Sequence, residues 1–158
     1  MFNLGSKEPV IGRASITIDR PLETIFEYIS IDFFHNYPKW SPEVLMLESV
    51  TEGPVKLGTI ARQVRVDQGH RTDSKFKVTH YEPNKCLAFT GVSDPYRCTY
   101  EMAEINKGNN AVRLNFTFEL LEIQLFMRPF EKLIRTVIQD GAERTVRNIK
   151  RLIEAKNT

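Results

Sequence analysis

The run Thr72–Leu120, TDSKFKVTHYEPNKCLAFTGVSDPYRCTYEMAEINKGNNAVRLNFTFEL, decides the fold. Apolar and polar residues alternate along it, the period of a half-buried strand. Three turn-forming clusters cut it: Glu82–Lys85 with Pro83-Asn84, Val92–Pro95, and Asn106–Asn110 with Gly108. The spacing predicts strands over Thr72–Tyr81, Leu87–Gly91, Tyr96–Ile105 and Ala111–Leu120. Connections this short imply antiparallel hairpins. Residues directly opposed in a hairpin share a face, so the register can be tested by parity. Centring each turn sets Val78 opposite Phe89, His80 opposite Leu87, Phe89 opposite Cys98, Leu87 opposite Tyr100, Cys98 opposite Phe118 and Tyr100 opposite Phe116.

Working upstream, the same period predicts strands Val44–Thr51 and Thr59–Val66, separated by a turn at Glu52–Gly58. Centring the next hairpin on Gly69 pairs Ile60 with Val78 and Arg62 with Phe76. One face then carries Ile60, Arg62, Val64, Phe76, Val78, His80, Leu87, Phe89, Tyr96, Cys98, Tyr100, Met102, Leu114, Phe116 and Phe118; the other is largely charged or hydroxylated. Earlier still, Ala14, Ile16 and Ile18 alternate with polar residues as a first strand. After Asp19 and Pro21, Leu22, Ile25, Phe26 and Ile29 follow at helical spacing. A second short helix is expected around Ile31–Asn36, ended by Pro38. Residues 1–12 read as a loosely ordered lead-in.

Downstream of Leu121 the period becomes about 3.6. Ile123, Phe126, Phe130, Leu133, Ile134, Val137, Ile138, Val146, Ile149 and Ile153 trace one apolar stripe, with Glu131–Arg135, Asp140–Arg144 and Glu143–Arg147 at i,i+4 on the other face. The expected architecture is α+β: a seven-stranded curved antiparallel sheet wrapped around a long C-terminal helix, with two short helices after the first strand. One helix, roughly 10 Å across, does not fill a wide curved sheet. The remaining space is either side chains or a cavity, and such cavities bind apolar small molecules.

Composition fits one domain spanning 1–158. The chain has 158 residues, is 41% hydrophobic, and balances 22 Lys and Arg against 20 Asp and Glu. A net charge of +2 gives no argument for nucleic acid. No run approaches the roughly 18 apolar residues of a membrane span, and the opening residues lack the apolar core of a signal peptide. Two cysteines, Cys86 and Cys98, make no disulfide framework, so free thiols and a cytoplasmic location are expected. His35, His70 and His80 have no metal-ligand spacing, and neither metal nor cofactor is expected.

The element order resembles the helix-grip fold of the START/Bet v 1-like superfamily, and its polyketide cyclase/dehydrase and lipid-transport branch in particular. ASITIDRPLETIFEYI resembles that group's first strand and helix, and NYPKWSPEV its aromatic-proline-Trp segment. GPVKLGTIARQ and VTHYEPNKCLAFTG resemble its Gly-x-x-x-Gly-Thr and Val-x-x-x-x-Pro-x-x-x-x-Phe patterns. The resemblance runs from about Arg13 to Glu154. It implies an internal cavity for a small hydrophobic ligand: a lipid, a polyketide or an aromatic metabolite.

The expected lining is Trp40, Arg62, Val64, Phe76, Val78, Phe89, Tyr96, Cys98, Tyr100, Phe116 and Phe118, with Phe126, Phe130, Ile134 and Val137 from the helix. Arg62 reads either as an anchor for a ligand carboxylate or phenolate, or as a salt-bridged or snorkelling residue. Gly141 reads either as space for a ligand or as a close-packing position. An enzyme of the cyclase or dehydratase kind needs a base near an acidic C–H and a donor for the enolate oxygen. His80 reads either as the base or as a satisfied core histidine, and Tyr96 and Tyr100 either as donors, alongside Arg62, or as hydroxyls bonded within the core. A third reading is an interaction module like the superfamily's co-chaperones, marked by an exposed apolar patch and no enclosed volume. The oligomeric state is open.

Overall fold

Alternation from Val10 to Ile18 makes strand β1 in the computed structural model, which describes residues 8–108 and 110–156. The strand starts within the expected lead-in, at Val10, because Val10 is fully buried opposite Leu120; residues 1–7 lie outside the described residues. The strands β2 (Val44–Ser49), β3 (Ile60–Asp67), β4 (His70–Glu82), β5 (Cys86–Gly91), β6 (Tyr96–Glu104) and β7 (Val112–Leu120) follow. They form one antiparallel sheet in the order β1-β7-β6-β5-β4-β3-β2. Strands consecutive in sequence but at opposite edges, β1 and β2, are joined by the helical segment that crosses the open side. This segment contains α1 (Leu22–Phe26), a π-helical turn (Glu27–Ile31) and α2 (Phe33–Trp40). The C-terminal α3 (Glu131–Ala155) is preceded by a 3₁₀ turn at Leu125–Phe130. Among the described residues no helix is long and apolar enough to cross a membrane.

The sheet keeps most of the expected register. Phe89 faces Cys98, Leu87 faces Tyr100, Cys98 faces Phe118 and Tyr100 faces Phe116. Two hairpins differ. β3 and β4 are joined by a two-residue turn, Gln68-Gly69, with both φ angles positive (50° and 82°). That is the I′ geometry matched to strand twist, whereas a turn centred on Gly69 would have held three residues. A one-residue change of register exchanges the two faces of a strand. Ala61 therefore faces Phe76, Arg62 faces Lys75 and Val64 faces Asp73.

In the β4–β5 hairpin the loop is one residue longer than expected, with Asn84 at φ 60° and Glu82 paired to Cys86. A bulge between Val78 and His80 absorbs the extra residue and restores Val78 to Phe89. Between loop and bulge the faces are exchanged. Tyr81, opposite Leu87, points inward onto Phe26 at 5.5 Å, and His80, opposite Ala88, points out.

Pro38 does not end α2, which continues to Trp40. The lost backbone bond is outweighed by burying Tyr37 and Trp40 on either side of it, both under 5% exposed. Phe33 stacks on Tyr37 (ring centroids 4.8 Å apart) and meets Trp40, Phe76 and Phe89 edge-on. This cluster fills the interior beneath α2.

The buried face of α3 is Ala142, Val146, Ile149 and Ile153, shorter than the expected stripe. Leu125, Phe126, Phe130 and Leu133 are exposed, because the 3₁₀ turn and first turns of α3 run beyond the sheet's cover, while Val137 borders the cavity described below. Position 12 lets helix and sheet touch. A Cβ on Gly12 would lie 2.7 Å from Ile138 Cγ2 and 2.8 Å from its carbonyl oxygen. Gln139 clamps the contact, donating from Nε2 to the Arg13 carbonyl (2.8 Å) and accepting the Arg13 N–H (3.1 Å). Further along, Lys150 Nζ donates to the Thr17 carbonyl (2.7 Å) and Asn148 Nδ2 to the Trp40 carbonyl (3.0 Å).

Candidate ligand-binding cavity

Near the end of the sheet where β5 leaves and β6 begins, a cavity of about 340 Å³ is lined by residues of both sheet and α3. Its apolar wall is Trp40, Tyr96, Cys98, Tyr100, Phe116 and Phe118, closed from above by Val137, Ile138, Gly141 and Ala142 of α3. Tyr96 stacks on Phe118 at 5.9 Å, and Tyr100 lies against Phe116 at 4.8 Å. Ser41, Glu43, Asp67, Thr72, Ser74, Asp94, Arg144 and Thr145 supply polar lining.

A chain of polar contacts runs along one side. Arg65 donates from Nε and Nη2 to the two Asp67 carboxylate oxygens (2.8 and 3.0 Å) and from Nη1 to the Tyr37 hydroxyl (3.0 Å). Tyr37 in turn donates to Gln63 Oε1 (3.4 Å), and Gln63 Nε2 donates to the Tyr96 hydroxyl (3.3 Å). Gln63 is 2% exposed, so this chain is what satisfies its amide. Separately, Trp40 Nε1 donates to the Tyr100 hydroxyl (3.2 Å). The Tyr96 and Tyr100 hydroxyls thus each accept one bond from a neighbouring side chain, and among the described residues neither has an acceptor for its own proton.

Burial keeps the phenols protonated. Burial pushes the Tyr37 phenol up to about 12 and raises Tyr96 and Tyr100 as well, so all three stay protonated at neutral pH. Burial also raises the Cys98 thiol to about 12. For Arg65 burial works against the charge, but the Asp67 carboxylate more than offsets it, and the guanidinium stays charged. At the mouth Glu43 lies 4.0 Å from Arg65 and 3.8 Å from Arg144. The cavity offers neutral hydroxyl donors and aromatic faces, with the charges at its edge.

Of the residues expected from sequence, the structure brings Trp40, Tyr96, Cys98, Tyr100, Phe116, Phe118 and Val137 to this cavity. Phe76, Val78 and Phe89 are instead packed within the aromatic cluster. Val64 is buried outside that cluster, on the face of β3 exchanged by the Gln68-Gly69 turn. Arg62 is on the same outer face, bonded to Asp73 (2.6 and 2.9 Å) and Glu48 (3.1 Å), the salt-bridged reading. Ile134 does not line the cavity, and Phe126 and Phe130 are 70% and 51% exposed, for the reason given above. His80 is on the outer face, 3.4 Å from Glu82, so it is no base for chemistry inside.

Tyr37, Gln63 and Arg65 were missed, and the missed signal is local: a Gln68-Gly69 pair read as a two-residue turn puts Gln63 and Arg65 inside. Cys86 and Cys98 are free, and no cluster of His, Cys, Asp or Glu able to hold a metal occurs among the described residues.

A curved antiparallel sheet gripping a long C-terminal helix is the helix-grip fold of the START/Bet v 1-like superfamily. The family described as "Polyketide cyclase / dehydrase and lipid transport" matches residues 10–154, and the chain belongs to it. No curated protein sequence matches. Among solved structures, the chain is similar to the Zhui aromatase/cyclase of Streptomyces sp. R1128 (11% identity, TM-score 0.76, covering 93% of this chain and 94% of that one). It is similar to TTHA0849 of Thermus thermophilus (18%, TM-score 0.72, 94% and 99%). It is also similar to norcoclaurine synthase of Thalictrum flavum, solved with dopamine and hydroxybenzaldehyde (17%, TM-score 0.70, 99% and 93%). Likeness at these identities is likeness of fold.

Proposed function

We propose that the protein binds a small, largely aromatic molecule carrying hydrogen-bond-accepting oxygen in the cavity between β6, β7 and α3. One observation carries this reading: an aromatic-walled space of about 340 Å³ into which two tyrosines bring unspent hydroxyl protons. That volume is at the low end of ligand pockets, roughly 300–1,000 Å³, and favours a compact ring system over a two-chain lipid. Family membership supports a hydrophobic ligand or a cyclase-type substrate. The interaction-module reading is less favoured, since it needs no internal volume. The test is mass spectrometry of molecules retained by the purified protein, together with thermal shifts across a phenol and quinone series. A bound aromatic, or a clear shift, is expected; an empty protein with no shift from any of them overturns the reading.

A second reading, an enolate-forming cyclase or dehydratase, rests on Tyr96, Tyr100 and Arg65 sharing one cavity, where donors would stabilise a developing oxyanion. With His80 on the outer face, the base would be Asp94, a lining carboxylate with no cationic partner among the described residues. Asp94→Asn should then abolish turnover of a polyketone substrate while leaving binding within about twofold. Equal turnover by the variant overturns this route.

A further inference from the structure

We infer that Gly141 sets the size of ligand the cavity accepts; this rests on the ligand-binding reading above. Glycine inside a helix is unfavourable relative to alanine, because it loses more backbone freedom on folding and adds no contact. Gly141 stands in the middle of the 25-residue α3, far from either end, where no turn or cap requires it. Nor does close packing require it: a Cβ built there meets nothing within 4 Å. Gly12 shows what a packing glycine looks like in this protein, with Ile138 atoms under 3 Å from its Cβ position. What surrounds Gly141 is the cavity. Val137, Ile138, Ala142 and Thr145, its i−4, i−3, i+1 and i+4 neighbours, all line it, and so does Gly141 itself.

The helix therefore carries a gap in its side-chain row at the cavity that Tyr96 and Phe118 also line. Any side chain at 141 would extend into unfilled space and take volume from the guest, while removing the glycine's cost to the helix. Stability and capacity should move in opposite directions.

The experiment compares the full chain with its Gly141→Ala and Gly141→Leu variants. It uses two fluorescent probes, two-ring 2-naphthol and four-ring 1-hydroxypyrene, and follows ligand-free thermal unfolding. Gly141→Ala should raise the ligand-free melting temperature by about 2–4 °C. It should also weaken 1-hydroxypyrene several-fold and leave 2-naphthol within about twofold. Gly141→Leu should weaken 1-hydroxypyrene at least tenfold. A helix merely stiffened by losing its glycine would respond fully at alanine and treat both probes alike, and that result overturns the inference. So does equal binding by all three proteins, or a melting temperature lowered by alanine. Failure of the unsubstituted protein to bind either probe is a different result, which overturns this inference; the ligand-binding reading itself falls only when the wider phenol and quinone series and the retained-molecule analysis are blank as well. Should the leucine variant not fold, the alanine variant decides alone.

Discussion

The two ends of the interior share one sheet face and differ in what is lowered onto it. Beneath α2, Phe33 and Tyr37 project onto Phe76 and Phe89 and the space is filled, with Trp40 against Tyr100 at its boundary with the cavity. Beneath the first half of α3, Val137, Gly141, Ala142 and Thr145 line a cavity together with Tyr96 and Phe118. The sheet supplies aromatic rings at both ends, so an aromatic strand face does not by itself make a pocket. Side-chain volume on the covering helix decides, and in this fold the two covering helices have opposite character.

The largest expected break is at the filled end. Phe33→Ala removes a ring that touches those of Phe34, Tyr37, Trp40, Phe76 and Phe89. It should cost about 3–5 kcal/mol in urea or thermal unfolding. A loss under about 1 kcal/mol would mean the filled end is as loosely packed as the open one.

Titration probes the same end. Tyr37 ionises near 10 when unfolded but only at about 12 when buried. Its contribution is intact below pH 10, and is lost as pH rises through the 10–12 window because the unfolded chain releases the proton first. Stability should fall by about 2–3 kcal/mol across that window, on the scale of about 1.4 kcal/mol per pKa unit. Cys98, raised to about 12, adds to the fall. Tyr37→Phe should shrink this drop in alkaline denaturation curves and leave the neutral-pH profile flat.

Between the two ends, Gly12→Ala tests whether α3 is held tightly against β1 at Ile138. Overpacking there should destabilise by about 1–3 kcal/mol, the opposite sign to alanine at position 141. At the open end, Tyr96→Phe removes a hydroxyl proton but keeps the stacked ring. Affinity for 1-hydroxypyrene should drop by about 5–10-fold, near 1 kcal/mol, while unsubstituted pyrene binds as before. Smallest of all, His80→Ala lies on the outer face and should change stability by no more than about 0.5 kcal/mol and ligand binding not at all.

Much of this architecture was legible along the chain because strand and helix periods are local properties. The alternation through β6 and β7 placed Tyr96, Cys98, Tyr100, Phe116 and Phe118 on one face, and the structure keeps them there. The β3 face was lost for a reason of one residue. Gln68 takes a positive φ that few side chains adopt, so the Gln68-Gly69 turn held two residues where three were expected, and Arg62 exchanged places with Gln63 and Arg65. His80 was misplaced by a longer loop and a compensating bulge, each a one-residue change that alternation tolerates without trace.

Sequence alone determined the elements, the antiparallel hairpins from β2 to β7 and the shared face of Tyr96, Cys98, Tyr100, Phe116 and Phe118, since each follows from spacing between neighbours along the chain. Tertiary structure alone decided which rings are covered. Whether Phe89 packs against α2 while Phe118 faces open space depends on helices remote in sequence, and on the volume each brings to a shared interior.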